Sequence, residues 1–94
     1  MALAAFHRNA KRKLRVLTPE QSRAARGLLN WTQDDLAERA SISRVSISLF
    51  EAGGVMRDTN QRRLRLTFEA AGVQFIAENG GGAGVRLAKP KGTK

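Results

Sequence analysis

Apolar side chains recur at helical spacing along residues 18–72, and short polar or glycine-containing breaks divide them into four stretches. This periodicity predicts four helices. Their expected spans run from Thr18 to about Leu29, from Thr32 to the break at Ser41, from about Ser43 to Ala52, and from Asp58 or Thr59 to Gly72. The pattern indicates a small, mainly α-helical domain.

Helix-start signals accompany three of these spans. In a capping box, an N-cap side chain and the residue three positions later bond to each other's backbone N–H groups. The candidate boxes are Thr18 with Gln21, Thr32 with Asp35, and Asp58 with Gln61. Trp31 and Leu36 also stand where a hydrophobic staple would form. The residues expected to face the core are Ala25, Leu28, Leu29, Leu36, Ala37, Ala40, Ile42, Ile47, Phe50, Leu64, Phe68 and Ala71.

The hydrophobic period changes after Gly72. Residues 73–76 and 84–87 are rich in β-branched and apolar side chains, and the glycine-rich segment 79–82 between them suits a chain reversal. We expect a helical bundle of four or five helices followed by a short C-terminal β-hairpin or strand. The alternative is an unstructured tail.

The positive charge lies in the two ends of the chain. The net charge is +9, yet eight arginines balance eight carboxylates between residues 18 and 84, and the excess falls in 1–17 and 85–94. Basic arms on a neutral body favour a polyanionic partner, although a solubilising terminus would look the same. The predicted organisation is a basic, disordered arm at 1–16, a helical domain at 17–72, a hairpin or dimerisation extension at 73–88 and a basic, disordered tail at 89–94.

Several classes of function find no support in the composition. The chain has no cysteine, and its one histidine, His7, has no partner ligand at helical spacing, so we expect no metal and no cofactor. No stretch approaches the roughly 18 apolar residues of a membrane span. No nucleophile–base pair or phosphate-binding glycine loop is recognisable, which argues against an enzyme. No small-molecule ligand domain is expected.

The second and third predicted helices carry the candidate chemistry. Two short helices joined by a tight break, the second with one polar outer face, fit the DNA major groove. Gln33, at the start of the first of these helices, suits a phosphate oxygen, and Arg57 suits another. The expected DNA-binding residues are Gln33, Ser43, Arg44, Val45, Ser46, Ser48, Leu49 and Arg57.

Arg44 is the only long hydrogen-bond donor on that outer face. A guanidinium can grip guanine O6 and N7 with two bonds, whereas Val45 and Leu49 can pack against a thymine methyl. A phosphate contact, or an ordinary solvated helix surface, remains the alternative for Arg44. Behind this face, we expect Arg26 and Glu51 to form a partly buried ion pair that fixes the helix angle.

The chain resembles the lambda-repressor-like helix-turn-helix family of the Xre or Cro type over about residues 18–72. The resemblance is carried by Thr32-Gln33, Leu36-Ala37, Ile42-Ser43-Arg44, Ile47 and Phe50-Glu51-Ala52-Gly53. It implies a backbone contact at Gln33, base contacts at Ser43, Arg44 and Val45, and a pair between Arg26 and Glu51. This chain departs from the family at Ser41, where glycine is frequent, and at Leu49, where a long polar residue is frequent.

The resemblance implies a sequence-specific, double-stranded DNA-binding transcriptional regulator of bacterial or phage type. We expect a cytoplasmic repressor, associated with the nucleoid when bound, that acts as a homodimer on operator DNA through the third helix, about residues 43–52. The alternative is a protein-interaction module, such as an antitoxin or antiactivator, that holds a partner protein with the same fold. A nonspecific basic nucleic-acid binder is a further alternative.

Overall fold

A computed structural model of the protein describes residues 16–78 and 80–88. These residues form four helices and a two-stranded sheet. The helices are α1 (Pro19–Leu29), α2 (Gln33–Ala40), α3 (Arg44–Glu51) and α4 (Asp58–Ala70), and the strands are β1 (Val73–Ile76) and β2 (Gly84–Leu87). Of the two predicted basic arms, all but Val16 lies outside the described residues, as do His7 and Asn79.

The first two helices begin at the predicted capping boxes. The backbone N–H of Gln21 donates to Thr18 Oγ1 at 3.0 Å, and the N–H of Thr18 donates back to Gln21 Oε1 at 2.9 Å. Thr32 and Asp35 form the same reciprocal pair at 3.0 and 2.9 Å. These contacts satisfy N–H groups that have no partner inside a helix, so they define where α1 and α2 start.

The start of α4 differs from the prediction. Arg57 is the N-cap residue and makes no side-chain cap, so Asp58 is already the first helical residue and forms no capping box with Gln61. The side-chain amide of Gln61 instead donates to the carbonyl oxygen of Met56 at 2.8 Å, which ties the preceding loop to the helix. Asp58 still lies at the positive end of the helix dipole, where a carboxylate is favourable.

The two strands pair as an antiparallel hairpin. The register sets Val73 opposite Leu87 and Ile76 opposite Gly84. The hairpin packs on the helices: the side-chain amide of Gln21, in α1, donates to Gly84 O at 3.0 Å. The C-terminal extension is therefore part of the folded body in the described residues.

One core joins all the elements. Its buried apolar residues are Val16, Leu17, Ala25, Leu36, Ala40, Ile42, Ile47, Phe50, Met56, Leu64, Phe68 and Val73. The Trp31 ring stacks near Phe68 at a centroid distance of 5.9 Å, and Phe75 meets Phe68 from the hairpin at 6.2 Å. Phe68 thus links the start of α2 to the sheet through α4.

Two expected core positions are wrong, and one boundary moves. Leu28 is 41% exposed, because the neighbouring Leu29 takes the inward direction at the end of α1. Ala71 lies one residue beyond α4 and is exposed. Val16, which the sequence places in the basic arm, is buried, and its carbonyl oxygen accepts from Arg65 Nη1 at 2.8 Å.

Within the described residues, none of the four helices has the length and apolar character that crossing a membrane requires.

Candidate nucleic-acid interface

A tight left-handed turn joins α2 to α3. Ser41 ends α2 with φ 57° and ψ 45°, and Ile42 then buries its side chain between the helices. Ser43 returns to an extended conformation and caps α3, its Oγ accepting from the N–H of Ser46 at 3.1 Å. Because Ser41 leaves the helical conformation for the left-handed region, the chain changes direction between α2 and α3.

The two faces of α3 have opposite character. Ile47 and Phe50 are buried and seal the inner face against the core. On the outer face, Val45 is 65% exposed and Leu49 is 60% exposed. Ser43, Arg44 and Ser48 are also exposed, whereas Ser46 is half-buried and bonded to Ser43. The predicted recognition residues therefore share one outward surface, apart from Ser46, which lies at its border.

A buried glutamate at the end of α3 joins three helices. The Glu51 side chain is 2% exposed, and Arg26 Nη2, in α1, lies 2.7 Å from its Oε1. Ser22, also in α1, donates its hydroxyl to Glu51 Oε2 at 2.6 Å. Gln33 Nε2, in α2, donates to Oε1 at 3.1 Å. The structure thus places Arg26 and Glu51 together, within a larger network than the predicted ion pair.

This network changes the acidity of Glu51. Burial by itself would raise the pKa of the Glu51 carboxyl, because desolvation disfavours the charged form. Hydrogen bonds from Arg26, Ser22 and Gln33, together with the positive charge of Arg26, outweigh burial and lower the pKa below its usual range. Glu51 is consequently a carboxylate at neutral pH, and all three donors remain matched to an acceptor.

Gln33 is the first residue of α2 and is half-buried. Its amide nitrogen carries two hydrogens, and the bond to Glu51 uses one of them. Among the described residues the second hydrogen has no acceptor. The side chain expected to contact phosphate is therefore positioned by the same carboxylate that anchors the end of α3.

Arg44 and Arg57 lie on the surface. Arg44 is the first residue of α3, and its Nε lies 3.3 Å from Asp34 Oδ1, with side chains 61% and 78% exposed. Arg57 is exposed in the loop before α4, with extended ψ of 146°. The two guanidinium groups therefore stand at the start of α3 and at the start of α4.

Sequence reasoning missed three contributors to this region. Ser22 belongs to the Glu51 network, and the spacing of four residues between Ser22 and Arg26 was a signal that both share one helix face. Arg23 donates to the backbone oxygen of Glu51. Asp34 pairs with Arg44, and no local spacing could announce that contact because the two residues lie on different helices.

Two short helices set at an angle by a left-handed turn, with a polar outer face on the second, define a helix-turn-helix protein. A helix-turn-helix family model matches residues 23–75, more than half of the chain. The chain belongs to this lambda-repressor and Xre-like helix-turn-helix family, whose members are DNA-binding regulators. No curated protein matches the chain in a sequence comparison.

Proposed function

We propose that this protein is a sequence-specific, double-stranded DNA-binding transcriptional regulator that represses by occupying operator DNA with α3 in the major groove. The observation that carries the proposal is the outward surface of α3, rigidly held from behind by the Glu51 network. A recognition helix must protrude and keep its angle while it contacts base edges. Acting on chromosomal DNA, the regulator would work at the nucleoid.

Base reading is assigned to the outer face of α3. Arg44 has the donors for guanine O6 and N7, and such a bidentate contact is worth about 1–3 kcal/mol of discrimination. Val45 and Leu49 supply apolar contacts for thymine methyl groups. Ser43 and Ser48 are short, so they allow the helix to approach closely while donating to a base or a phosphate, and Ser46 supports them from the border.

Backbone contacts are assigned to the flanks of the same surface. The second amide N–H of Gln33, which has no acceptor in the described part of the chain, lies at the positive end of α2, where the helix dipole favours a phosphate oxygen. Arg57 is exposed in the loop that follows α3 and supplies a second cationic donor. Contacts of this kind fix the orientation of the protein on the duplex without reading its sequence.

Selection of bound fragments from a random duplex library tests the proposal. We expect a defined site to be enriched, with at least one guanine that Arg44 reads. Arg44→Ala should weaken binding to the selected duplex by about 1–3 kcal/mol more than binding to a scrambled duplex. Replacing the read guanine by 7-deazaguanine, which lacks the N7 acceptor, should impair the wild type and leave Arg44→Ala unaffected.

Arg57→Ala is the matched control, because it removes the same charge from a proposed phosphate contact. It should weaken binding to both duplexes alike and reduce the salt dependence by about one phosphate contact. If Arg44→Ala also weakened both duplexes equally, base reading by Arg44 would be wrong. If no duplex were enriched, the sequence-specific function itself would be wrong.

The hairpin has an edge suited to pairing two copies. Ala88 N donates to Gly72 O at 2.7 Å, so Gly72 and Ala88 face each other as a hydrogen-bonded pair. Hydrogen-bonded and non-hydrogen-bonded pairs alternate along an antiparallel ladder. Val85 and Leu87 therefore fall in the non-hydrogen-bonded pairs, with backbone N–H and C=O groups directed away from β1. Among the described residues, no group outside the hairpin bonds to the backbone of either.

We infer that the protein forms a homodimer by joining two copies of β2 along this edge. The core of one copy is small, so burial between copies adds to stability. Leu87 is 47% exposed and would gain a partner surface. Two recognition helices related by two-fold symmetry would read half-sites about 34 Å apart on one face of the duplex.

The same strand edge favours a second candidate function, that of an antitoxin or antiactivator. An extended segment of a partner protein can add to an open edge through backbone hydrogen bonds. A partner recovered at equal stoichiometry, combined with no retardation of any duplex at low salt, would favour this function over the regulator. Enrichment of a defined duplex would favour the regulator.

A further inference from the structure

Asp34 places a carboxylate beside the proposed base reader, where a DNA-binding surface would gain more from a neutral or basic side chain. The Asp34 side chain is 78% exposed, and its Oδ1 lies 3.3 Å from Arg44 Nε. It is the second residue of α2, next to Gln33. A carboxylate at this position repels the phosphates that the positive end of α2 would attract.

A carboxylate in the first turn of α2 is favoured by the helix dipole, so folding accounts for part, but not all, of the choice of Asp34. The start of α2 is already capped by Thr32 and Asp35. An ion pair this exposed contributes little to stability, because water screens the attraction and two side chains lose freedom. Among the residues that the structure describes, Arg44 is the one ion-pair partner of Asp34.

The atoms in the pair leave Arg44 ready for a base. Asp34 engages the Nε side of the guanidinium, and the two terminal nitrogens, with four N–H hydrogens, remain for O6 and N7 of guanine. The nearby carboxylate favours guanidinium orientations that keep Nε beside Asp34, so the Arg44 side chain has fewer orientations to lose when it binds a base. An unheld arginine at the same position would turn readily to the nearest phosphate, which carries no sequence information.

We propose that Asp34 is a positioning residue that determines specificity: it orients the Arg44 guanidinium toward base edges and penalises phosphate contacts that bypass them. This inference rests on the proposed DNA-binding function. DNA with the recognised guanine accepts hydrogen bonds from the terminal nitrogens of Arg44 while Asp34 remains paired with Nε. Random DNA offers Arg44 only phosphates, and these must compete with the carboxylate.

Asp34→Asn tests the inference, because it removes the charge and keeps nearly the same shape. The probes are the duplex selected from the random library and a scrambled duplex of equal length and composition. We expect binding to the scrambled duplex to strengthen roughly two- to fivefold. The ratio of selected to scrambled affinity should fall roughly two- to tenfold, since Arg44 must now be ordered on binding.

Glu38→Gln is the matched control, since Glu38 is exposed on the same helix and loses the same charge. It lies one turn after Asp34 and does not pair with Arg44 in the described part of the chain. This variant should change both affinities alike and leave their ratio unchanged. Asp34→Glu, which keeps the charge, should retain weak binding to the scrambled duplex.

A double variant separates orientation of Arg44 from a general charge effect. In an Arg44→Ala background, Asp34→Asn should no longer change the affinity ratio, because the side chain that it orients is gone. An unchanged ratio for Asp34→Asn in the wild-type background would overturn the inference, and so would an equal fall in the Arg44→Ala background.

The outcome also separates this inference from the function on which it rests. If the wild type distinguishes the two duplexes and Asp34→Asn keeps the ratio, only the role of Asp34 is wrong. If the wild type binds the selected and the scrambled duplex equally well, the proposed sequence-specific function is itself wrong. Thermal unfolding followed by Trp31 fluorescence verifies that each variant is folded.

Discussion

Glu51 is the residue on which the geometry of the helix pair depends most. Its buried carboxylate accepts from Ser22, Arg26 and Gln33, while its backbone oxygen accepts from Arg23. Donors from α1 and α2 therefore converge on the last residue of α3. Replacing one carboxylate oxygen by an amide NH2 would leave at least one of these donors without an acceptor, a loss that costs more than an exposed ion pair is worth.

Glu51→Gln should lower the free energy of unfolding by about 1–3 kcal/mol at neutral pH. It should also flatten the acid dependence of stability. Because the folded pKa is lowered, the stabilisation by Glu51 is complete above the unfolded pKa of about 4.3 and is lost as the pH falls through the folded value.

Thermal unfolding of the wild type and Glu51→Gln between pH 7 and pH 3 measures this contribution. Asp35 also has a lowered pKa, caused first by its hydrogen bond with the Thr32 backbone. Because Asp35 is present in both proteins, its contribution cancels when the stability of Glu51→Gln is subtracted from that of the wild type. Equal loss of stability with acid in both proteins would contradict the assignment to Glu51.

At the scale of elements, the helices depend on their ends as much as on their faces. Two side-chain capping boxes start α1 and α2, and Asn30 and Ser41 end them in the left-handed region, with φ of 60° and 57°. Asparagine tolerates that conformation better than serine does. The turn between α2 and α3 therefore stores strain at Ser41.

Ser41→Gly should raise the free energy of unfolding by about 0.5–1 kcal/mol, because glycine adopts a positive φ without a side-chain clash. Asn30→Gly is the matched comparison at the end of α1, and its gain should be smaller. Urea unfolding of both variants measures the difference. A larger increase in the free energy of unfolding for Asn30→Gly than for Ser41→Gly would show that backbone strain at Ser41 does not explain the effect.

Alanine substitution at two glycines, Gly27 and Gly54, should change stability in opposite directions. A methyl group on Gly27, in α1, would meet nothing within 4 Å, so Gly27→Ala should stabilise by about 0.5–1 kcal/mol through better helix propensity. A methyl group on Gly54 would lie 2.8 Å from the Leu49 backbone oxygen, so Gly54→Ala should destabilise by about 1–3 kcal/mol. Urea unfolding of the two variants should give shifts of opposite sign.

At the scale of the whole molecule, the hairpin completes the core and also offers an edge. Val73 is buried, and Phe75 packs on the core beside Phe68. The Arg65 guanidinium lies 4.7 Å from the Phe75 ring centroid, which attaches α4 to β1. The apolar side of the hairpin is thus packed within one copy, and among the described residues the outward backbone groups of Val85 and Leu87 have no hydrogen-bond partner on the outer edge of β2.

Leu87→Pro should abolish dimerisation while one copy keeps its fold. Proline removes the outward N–H of Leu87, which the ladder with β1 does not use, and edge positions tolerate it. Sedimentation at micromolar protein should change from dimer to monomer, and affinity for a two-fold symmetric duplex should fall. Arg86→Pro, the control, removes an inward N–H and should unfold the hairpin itself. A monomeric wild type, with and without DNA, would contradict the proposed dimer.

Much of the fold was predictable because its signals are local. Thr18 and Thr32 each form a capping box with a residue three positions later, and the glycine-rich segment 79–82 indicated the reversal between the two strands. The predicted capping box between Asp58 and Gln61 was wrong because the N-cap of α4 is Arg57, one residue earlier. The prediction that Leu28 faces the core was wrong because Leu28 and Leu29 fit the helical period equally well.

The amino-acid sequence by itself determined the four helices, two of their capping boxes, the hairpin and the family, since each is encoded by contacts between near neighbours or by the pattern of residues. The tertiary structure decided that Glu51 gathers donors from two other helices and that Asp34 meets Arg44. Those contacts join residues ten to twenty-nine positions apart. They depend on the crossing angles of packed helices, which the core as a whole sets.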